Sequence, residues 1–369
     1  MSSFSSVIPI RGIVKNYTWG SFQTLAEHRG AQSSKEPEAE LWFGDSPHGP
    51  ALLLNSAQTL DQLTEEFGPL PFLAKILAVE SPLSLQVHPA LSDLRALERV
   101  KRDDNHKPEM IVALSQFDAL IGLASKEEIL ALVERLDSEH AKRIIAEPLL
   151  MGSSVIEILD HILGVEDRLD ILEEVIAKAR NLNALHQGWL HELITLYAPN
   201  LDPLALLLCN LVRLAPGESV YLPPRCIHAY LRGTAIEAMA NSDNVIRGGL
   251  TKKPIDKKNF LALLKESNEM SEIITPTYEL LGATEGGVRH WQPPIDDFAL
   301  SEFHGVINQR IHVANFTIAF AWRGAFVITA PASKSISVTV KGDNGAFVAP
   351  GEYQVNGEGS LWVVTGKGR

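Results

Sequence analysis

Apolar positions change their period twice along this chain. Up to about residue 125 they fall in short runs broken by Gly, Pro and Ser, as in Glu40-Leu41-Trp42-Phe43-Gly44 and Pro71-Phe72-Leu73-Ala74-Lys75-Ile76-Leu77. That texture predicts strands and turns, with one helix over 90–101. From about 126 to 203 the spacing becomes helical. Ile129, Val133 and Leu136 recur three or four apart, then Leu169, Leu172, Val175 and Ile176, then Leu190, Leu193, Ile194 and Tyr197, with Lys and Glu between them. Beyond 204 the strand texture returns. A strand over 211–214 runs into the turn residues Ala215-Pro216-Gly217-Glu218, and Val220-Tyr221-Leu222 follows. Arg232-Gly233 reads as a hairpin turn before a strand over 234–240, and a short helix is expected over 256–266. After 275 strands are predicted at 311–322, 325–329, 335–340, 345–348 and 360–364. There is no tandem repeat. The pattern predicts a mainly β protein: a barrel or jelly roll (residues 1–125 and 204–274) interrupted by a helical insertion (126–203), then a second β module (275–369).

Size and composition narrow the class. A chain of 369 residues is too long for one small core, so two or three domains are expected. Hydrophobic residues at 45% and charged residues at 21% are ordinary for a folded globular protein and exclude disorder. The 33 basic against 45 acidic residues give a net charge of −12, which argues against nucleic acid or an anionic membrane as partner. A phosphorylated small molecule stays open, because local charge decides that. The two cysteines, Cys209 and Cys226, stand outside any Cys-x-x-Cys motif and fit a reducing compartment. The first residues lack a basic and an apolar signal region, and no run approaches the ~20 apolar residues of a membrane span. A cytoplasmic location is expected.

Three segments carry chemistry. If Leu83-Ser84-Leu85-Gln86-Val87-His88-Pro89 is a strand, Ser84, Gln86 and His88 point to one face and the aliphatic residues to the other. If 107–114 is extended, Lys107 and Glu109 share a face, with Pro108 at an edge or bulge. In Pro223-Pro224-Arg225-Cys226-Ile227-His228-Ala229-Tyr230, His228 and Tyr230 share a face. An amide oxygen, two imidazoles and a carboxylate suffice for a divalent metal. Zinc fits this nitrogen and oxygen set best, with manganese, iron or cobalt as substitutes. One anion among the ligands leaves a net charge of about +1, enough to polarise a carbonyl or hold an alkoxide. Taken singly, each residue has a blander role open to it: a hydrogen-bonded core histidine, a solvated glutamate. Their combination is what points to a site. In Asp243-Asn244-Val245-Ile246-Arg247-Gly248-Gly249-Leu250-Thr251-Lys252-Lys253, the glycines let backbone approach a ligand, and Arg247 with Lys253 can clamp a phosphate; a solvated basic loop is the other reading. Lys75, inside an apolar run, must snorkel or point into a polar cavity.

Taken together these segments resemble type I mannose-6-phosphate isomerases of the cupin superfamily. The resemblance runs in order through Tyr17-Thr18-Trp19-Gly20-Ser21, Pro37–Gly44, Pro71–Lys75, Leu83–Pro89, His106-Lys107-Pro108-Glu109-Met110, His228-Ala229-Tyr230 and Ser242–Thr251. It covers residues 10 to about 255; after that the match is one of character only. It implies a double-stranded β-helix catalytic domain, a helical insertion and a C-terminal cupin-like β domain. It implies one zinc per subunit held by Gln86, His88, Glu109 and His228, and interconversion of mannose 6-phosphate and fructose 6-phosphate on the way to GDP-mannose. Family members often carry Pro-Lys where this chain has Lys252-Lys253, so the phosphate lysine falls on Lys253.

Aldose–ketose interconversion needs ring opening, transfer of a proton between C2 and C1, stabilisation of an enediolate and a grip on the phosphate. Arg247 and Lys253, helped by Lys75 and Ser84, are expected to hold the phosphate. Lys107 is placed ahead of Glu237 as proton carrier, and His106 is assigned to ring opening. Tyr230 and Asp243 support the metal shell or orient substrate, and Trp19 walls the cleft. A monomer is expected. Two other readings remain: an iron-dependent cupin oxygenase, which two His and a carboxylate would suit, and a non-catalytic sugar-phosphate-binding cupin.

Overall fold

A computed structural model describes residues 6–265, 271–281, 286–330 and 336–367. Its strands form a ten-stranded and a nine-stranded sheet. In the first, one long strand, His228–Ala240, does most of the organising. Its first residues pair with Leu85–Val87 and Phe117–Leu123. Its second half pairs with Phe72–Val79 on one side and Glu109–Ala113 on the other. Glu40–Phe43 extends the sheet beyond Phe72–Val79, and Ile246–Gly249 pairs with Leu85–Val87. This is the expected cupin-type double-stranded β-helix. Phe72–Val79 is buried at every position, since both of its faces are covered.

The hairpin expected at Arg232-Gly233 is absent. The strand runs straight through, with a register shift between Tyr230 and Arg232 against Phe117–Leu123. Gly233 adopts φ +134°, and a Cβ there would sit 2.6 Å from the Gln116 carbonyl oxygen. The glycine marks a bulge that passes one strand between the two halves of the jelly roll; it does not reverse the chain. This geometry places His228 and Glu237 on one continuous strand.

The helical block follows its periodicity. Lys126–Leu136, Val155–Ile162, Leu169–Lys178 and Ala184–Tyr197 are helices, and the first two start on Ser125 and Ser154 capping boxes. Ile129, Val133, Leu172, Val175, Leu190 and Leu193 bury into one core with Leu85, Val87 and Ile246, which lie against the metal-site strands. The helix expected over 90–101 shrinks to a 3₁₀ turn, Leu91–Asp93. Asp93 caps that turn by accepting from the Ala90 N–H, separate turns follow with Ala96 N–H bonded to Asp93 O and Val100 N–H to Leu97 O, and just beyond the segment Asn244 Oδ1 accepts from the Arg102 N–H at 2.7 Å. The late helix is Lys257–Lys265; residue 266 lies outside the described residues. Among the described residues no helix is long and apolar enough to cross a membrane.

The nine-stranded sheet is built on Ala299–Val313, Thr317–Thr329 and Gly351–Thr365. The strand expected over 311–322 is therefore split at 314–316, while 325–329 is continuous with what precedes it. Ser337–Val340 and Asn344–Val348 fall where expected; residue 335 lies outside the described residues. Val7–Arg11 pairs with Asn344–Val348, and Leu52–Leu53 with Val7–Arg11. Two strands from the first 125 residues thus belong to the second sheet. The sheets share a core in which Phe72, Ile76, Met110 and Ile236 pack with Phe320 and Trp362. The strands that carry the site are thereby backed by the C-terminal residues.

Candidate active site

His88, Glu109 and His228 converge although they lie far apart in sequence. One ligand atom from each lies within 4.8 Å of the others, and all three residues are buried. Glu109 Oε1 stands 3.2 Å from His88 Nε2, and Oε2 stands 3.4 Å from His228 Nε2. The other ring nitrogens explain the arrangement. His88 Nδ1 is 2.7 Å from the Asn244 carbonyl oxygen, and His228 Nδ1 is 3.0 Å from that of Cys226. A carbonyl only accepts, so each Nδ1 carries the proton and each Nε2 presents a lone pair. Both lone pairs face a carboxylate, and His88 Nε2 is buried without a hydrogen-bond partner. Acceptors turned on acceptors in a dry pocket cost free energy unless a cation lies between them. Such backbone-fixed tautomers are how metal-binding histidines are held. Gln86 lies opposite His228 on the neighbouring strand, its amide nitrogen 3.2 Å from His228 Nε2. Turning the amide over offers Oε1 in that place, and Ser84 Oγ, now 3.3 Å from Oε1, can accept from the amide as well as donate to it. The donor set fits a divalent ion such as zinc.

The charge around this group is arranged in layers. Burial pulls the His88 imidazole down to about 4, and the Lys107 ammonium adds to that. Burial alone would raise Glu109, but the Lys107 ammonium outweighs it and holds the carboxyl well below the usual range. Lys107 Nζ sits 2.9 Å from Glu109 Oε1. Tyr230 donates to Glu109 Oε2 at 3.3 Å, and burial raises its hydroxyl far above 10, so it remains a donor. Deeper in the barrel, Lys75 Nζ donates to Glu237 Oε2 at 2.8 Å and lies 3.8 Å from Glu40 Oε2. Burial would lower the Lys75 ammonium; Glu237 and Glu40 more than reverse that and keep it charged.

A cavity of about 580 Å³ opens over these residues. Gln86, Lys107, Lys75 and Glu40 line its inner end; Arg247, Lys253, Arg102 and Asp243 line another part, with Trp19 and Tyr17 along the wall. Tyr17 and Trp19 stack at 5.7 Å, and Lys253 Nζ lies 5.7 Å from the Tyr17 ring centroid. The side chains of Arg247 and Lys253 make no hydrogen bond or ion pair among the described residues. Burial lowers both, and Arg102 presses on both as a like charge. Cations facing a cavity without an ion-pair partner among the described residues, Arg247 half-buried and Lys253 exposed, suit an anionic ligand.

Comparison with known proteins agrees with this geometry. A family model described as the catalytic domain of type I phosphomannose isomerase matches residues 7–125. The mannose-6-phosphate isomerase of Escherichia coli is 30% identical over an alignment covering 96% of this chain and 98% of that protein. The human mannose-6-phosphate isomerase is 30% identical, with 80% of this chain and 81% of that protein covered. The chain belongs to the mannose-6-phosphate isomerase family. A crystal structure of the Salmonella typhimurium enzyme bound to fructose 6-phosphate and zinc superposes with a TM-score of 0.83 at 28% identity, covering 98% of this chain and all of that one.

Against this family background the expected site residues divide into three groups. Gln86, His88, Glu109 and His228 come together, and Lys107, Ser84, Lys75, Asp243, Arg247, Lys253 and Trp19 line the cavity above them. Tyr230 and Glu237 lie behind, buried, bonded to Glu109 and Lys75 respectively. His106 Nε2 lies 3.1 Å from both carboxylate oxygens of Asp297, and His106 stands next to Lys107 without itself lining the cavity. Sequence reasoning missed Glu40 and Arg102. Glu40 had a signal: it shares a strand face with Trp42, whose indole donates to it, and Lys75 in an apolar run implied a buried anion nearby. Arg102, in the mixed-charge stretch Lys101-Arg102-Asp103-Asp104, had none.

Proposed function

We propose that this chain interconverts mannose 6-phosphate and fructose 6-phosphate, with Gln86, His88, Glu109 and His228 holding one zinc and Arg247 and Lys253 gripping the phosphate. The observation that carries the reading is the pair of Nε2 lone pairs turned on Glu109, beneath a cavity lined by Gln86 and Lys107 and by two cations, Arg247 and Lys253, without an ion-pair partner among the described residues. When bound, zinc supplies positive charge for the sugar oxygens at C1 and C2 as negative charge develops there. The residues do the rest. The phosphate grip fixes the open chain along the cavity, spending remote binding energy on orientation. Lys107 faces the cavity from beside Glu109 and moves the proton between C2 and C1; Glu237, closed off behind Lys75, tunes the charge of that lysine. Trp19 and Tyr17 exclude water from one side. We take the working unit to be one chain with one zinc in the cytoplasm. Support for a reducing compartment comes from the two cysteines, which are both buried free thiols. Residues 126–203 form the outer wall and the nine-stranded sheet the backing.

The deciding experiment is an isomerase assay coupled to further conversion of fructose 6-phosphate, before chelation, after it and after zinc is restored. Activity lost on chelation and regained with zinc is expected; activity indifferent to chelation sinks the proposal. Oxygen uptake with ferrous iron would favour the oxygenase reading. Two substitutions separate the roles. Lys107→Met should lower kcat by about 10²–10⁴-fold, the usual contribution of a positioned acid–base group, and should abolish exchange of solvent deuterium into the product while zinc stays bound. Exchange at the wild-type rate would remove Lys107 from the proton path. Arg247→Ala should raise KM for the sugar phosphate by about 10–100-fold, as expected for a lost charge-assisted hydrogen bond, with metal content unchanged. Loss of zinc in that variant would contradict the phosphate assignment.

A further inference from the structure

The cavity holds more positive charge than the phosphate grip alone accounts for, and the pairing of its cations differs in kind. Lys107 is tied to Glu109 and Lys75 to Glu237, with all four side chains at most 10% exposed. Buried pairs of this sort do not open cheaply, because either partner would be left as an unpaired charge in a dry site. Arg102 is also paired, to Asp243 through Nη1, but its side chain is 48% exposed and that of Asp243 is 29% exposed. Breaking this pair returns both groups to water, and exposed pairs are worth little. Arg102 therefore is the cation in the lining that can change partner at small cost. Its backbone is fixed independently, since its N–H donates to Asn244 Oδ1 and the Asn244 carbonyl holds His88. The guanidinium swings from an anchored Cα.

We propose that Arg102 is a third phosphate-binding group, which exchanges Asp243 for the substrate phosphate and so sets the preference for a dianionic over a monoanionic or neutral sugar. This rests on the proposed phosphate position at Arg247 and Lys253. Free, those two cations and Arg102 repel one another across the cavity, and Asp243 partly offsets that. A phosphate dianion entering among them takes the guanidinium fork in the bidentate geometry that Arg offers and Lys does not. Asp243 then still feels the Lys107 ammonium, and His48 Nε2 lies 3.9 Å away.

The test uses the zinc-loaded full chain, with inorganic phosphate as a competitive inhibitor. Arg102→Ala should raise both KM for mannose 6-phosphate and the inhibition constant of phosphate about tenfold, the scale of one charge-assisted hydrogen bond, with kcat within about twofold and zinc content unchanged. Arg102→Lys should recover only part of this. Asp243→Asn, which frees the guanidinium, should tighten phosphate inhibition. Unchanged phosphate inhibition in Arg102→Ala, full recovery by Lys, or weaker inhibition in Asp243→Asn would each overturn the exchange. Arg247→Ala run alongside keeps the two ideas apart. If it weakens phosphate inhibition while Arg102→Ala does not, only the role of Arg102 fails; if neither weakens it, the phosphate lies elsewhere.

Discussion

His228→Ala is expected to remove zinc and turnover together, with little harm to the fold. Like His88 in the same site, His228 has its Nδ1 committed to a backbone carbonyl, so its Nε2 has no function in the metal-free protein except to face Glu109 and Gln86. Loss of residues that merely orient a metal ligand costs about 10–100-fold in affinity, so loss of the ligand itself should exceed that range. Turnover should fall by on the order of 10³ or more, since the charge that stabilises the transition state leaves with the ion. The metal-free variant tests the reasoning more sharply than activity does. Three acceptors converge in a dry pocket, and removing one relieves their repulsion. The apo variant should therefore melt no lower than expected for a small cavity, while the zinc-dependent rise in Tm of the wild type disappears. Zinc content by elemental analysis and melting curves with and without zinc read both effects. His106→Ala is the contrast: it should keep zinc, because that ring is held by Asp297. A metal-free but fully active His228→Ala protein would end the zinc reading.

Much of the site was legible because strand geometry is periodic. Alternation over residues 83–89 is enough to put Ser84, Gln86 and His88 on one face, and the pairing of His228 with Gln86 then closes the site. What alternation does not reveal is where a strand bends. Arg232-Gly233 has the composition of a hairpin, yet Gly233 serves as a bulge within one strand. Glycine with positive φ occurs in both settings, and only the partner strands distinguish them. The segment 90–101, expected to be a helix, is a series of turns whose ends are held from far along the chain: Arg225 bonds Asp93 across 132 residues, and Asn244 bonds the Arg102 N–H across 142. Bonds that span such distances leave no trace in a sequence window. The same holds for His106, whose partner Asp297 lies 191 residues on. The assignment of Val7–Arg11 to the second sheet is hidden for the same reason, because strand pairing is a property of the folded chain.

Lys75→Met tests the other half of the electrostatic design, and its main effect should be on stability. Lys75 is 5% exposed and is flanked by Glu237 and Glu40, each under 10% exposed. Methionine fills similar volume but removes the cation that, alone among the described residues, is bonded to Glu237, leaving a buried carboxyl without its ion-pair partner. Breaking a buried pair in this way costs about 3–5 kcal/mol, a large share of the total for a typical domain. The variant should respond to pH with a definite sign. Burial already raises Glu237 in the wild type, with Lys75 opposing it. Without Lys75 the folded-state pKa climbs further, so the native variant holds a proton that the unfolded chain releases near the ordinary Glu range of about 4.3. Stability should therefore be greatest below that range and fall as pH rises towards the raised folded value. Measured at saturating zinc, the deficit of Lys75→Met relative to wild type should be smaller near pH 5 than near pH 8. Lys75→Met combined with Glu237→Leu should recover part of the loss, since the stranded charge is removed along with its partner. A deficit independent of pH and not eased by the second substitution would show that packing around Lys75, and not its charge, holds this layer of the barrel together.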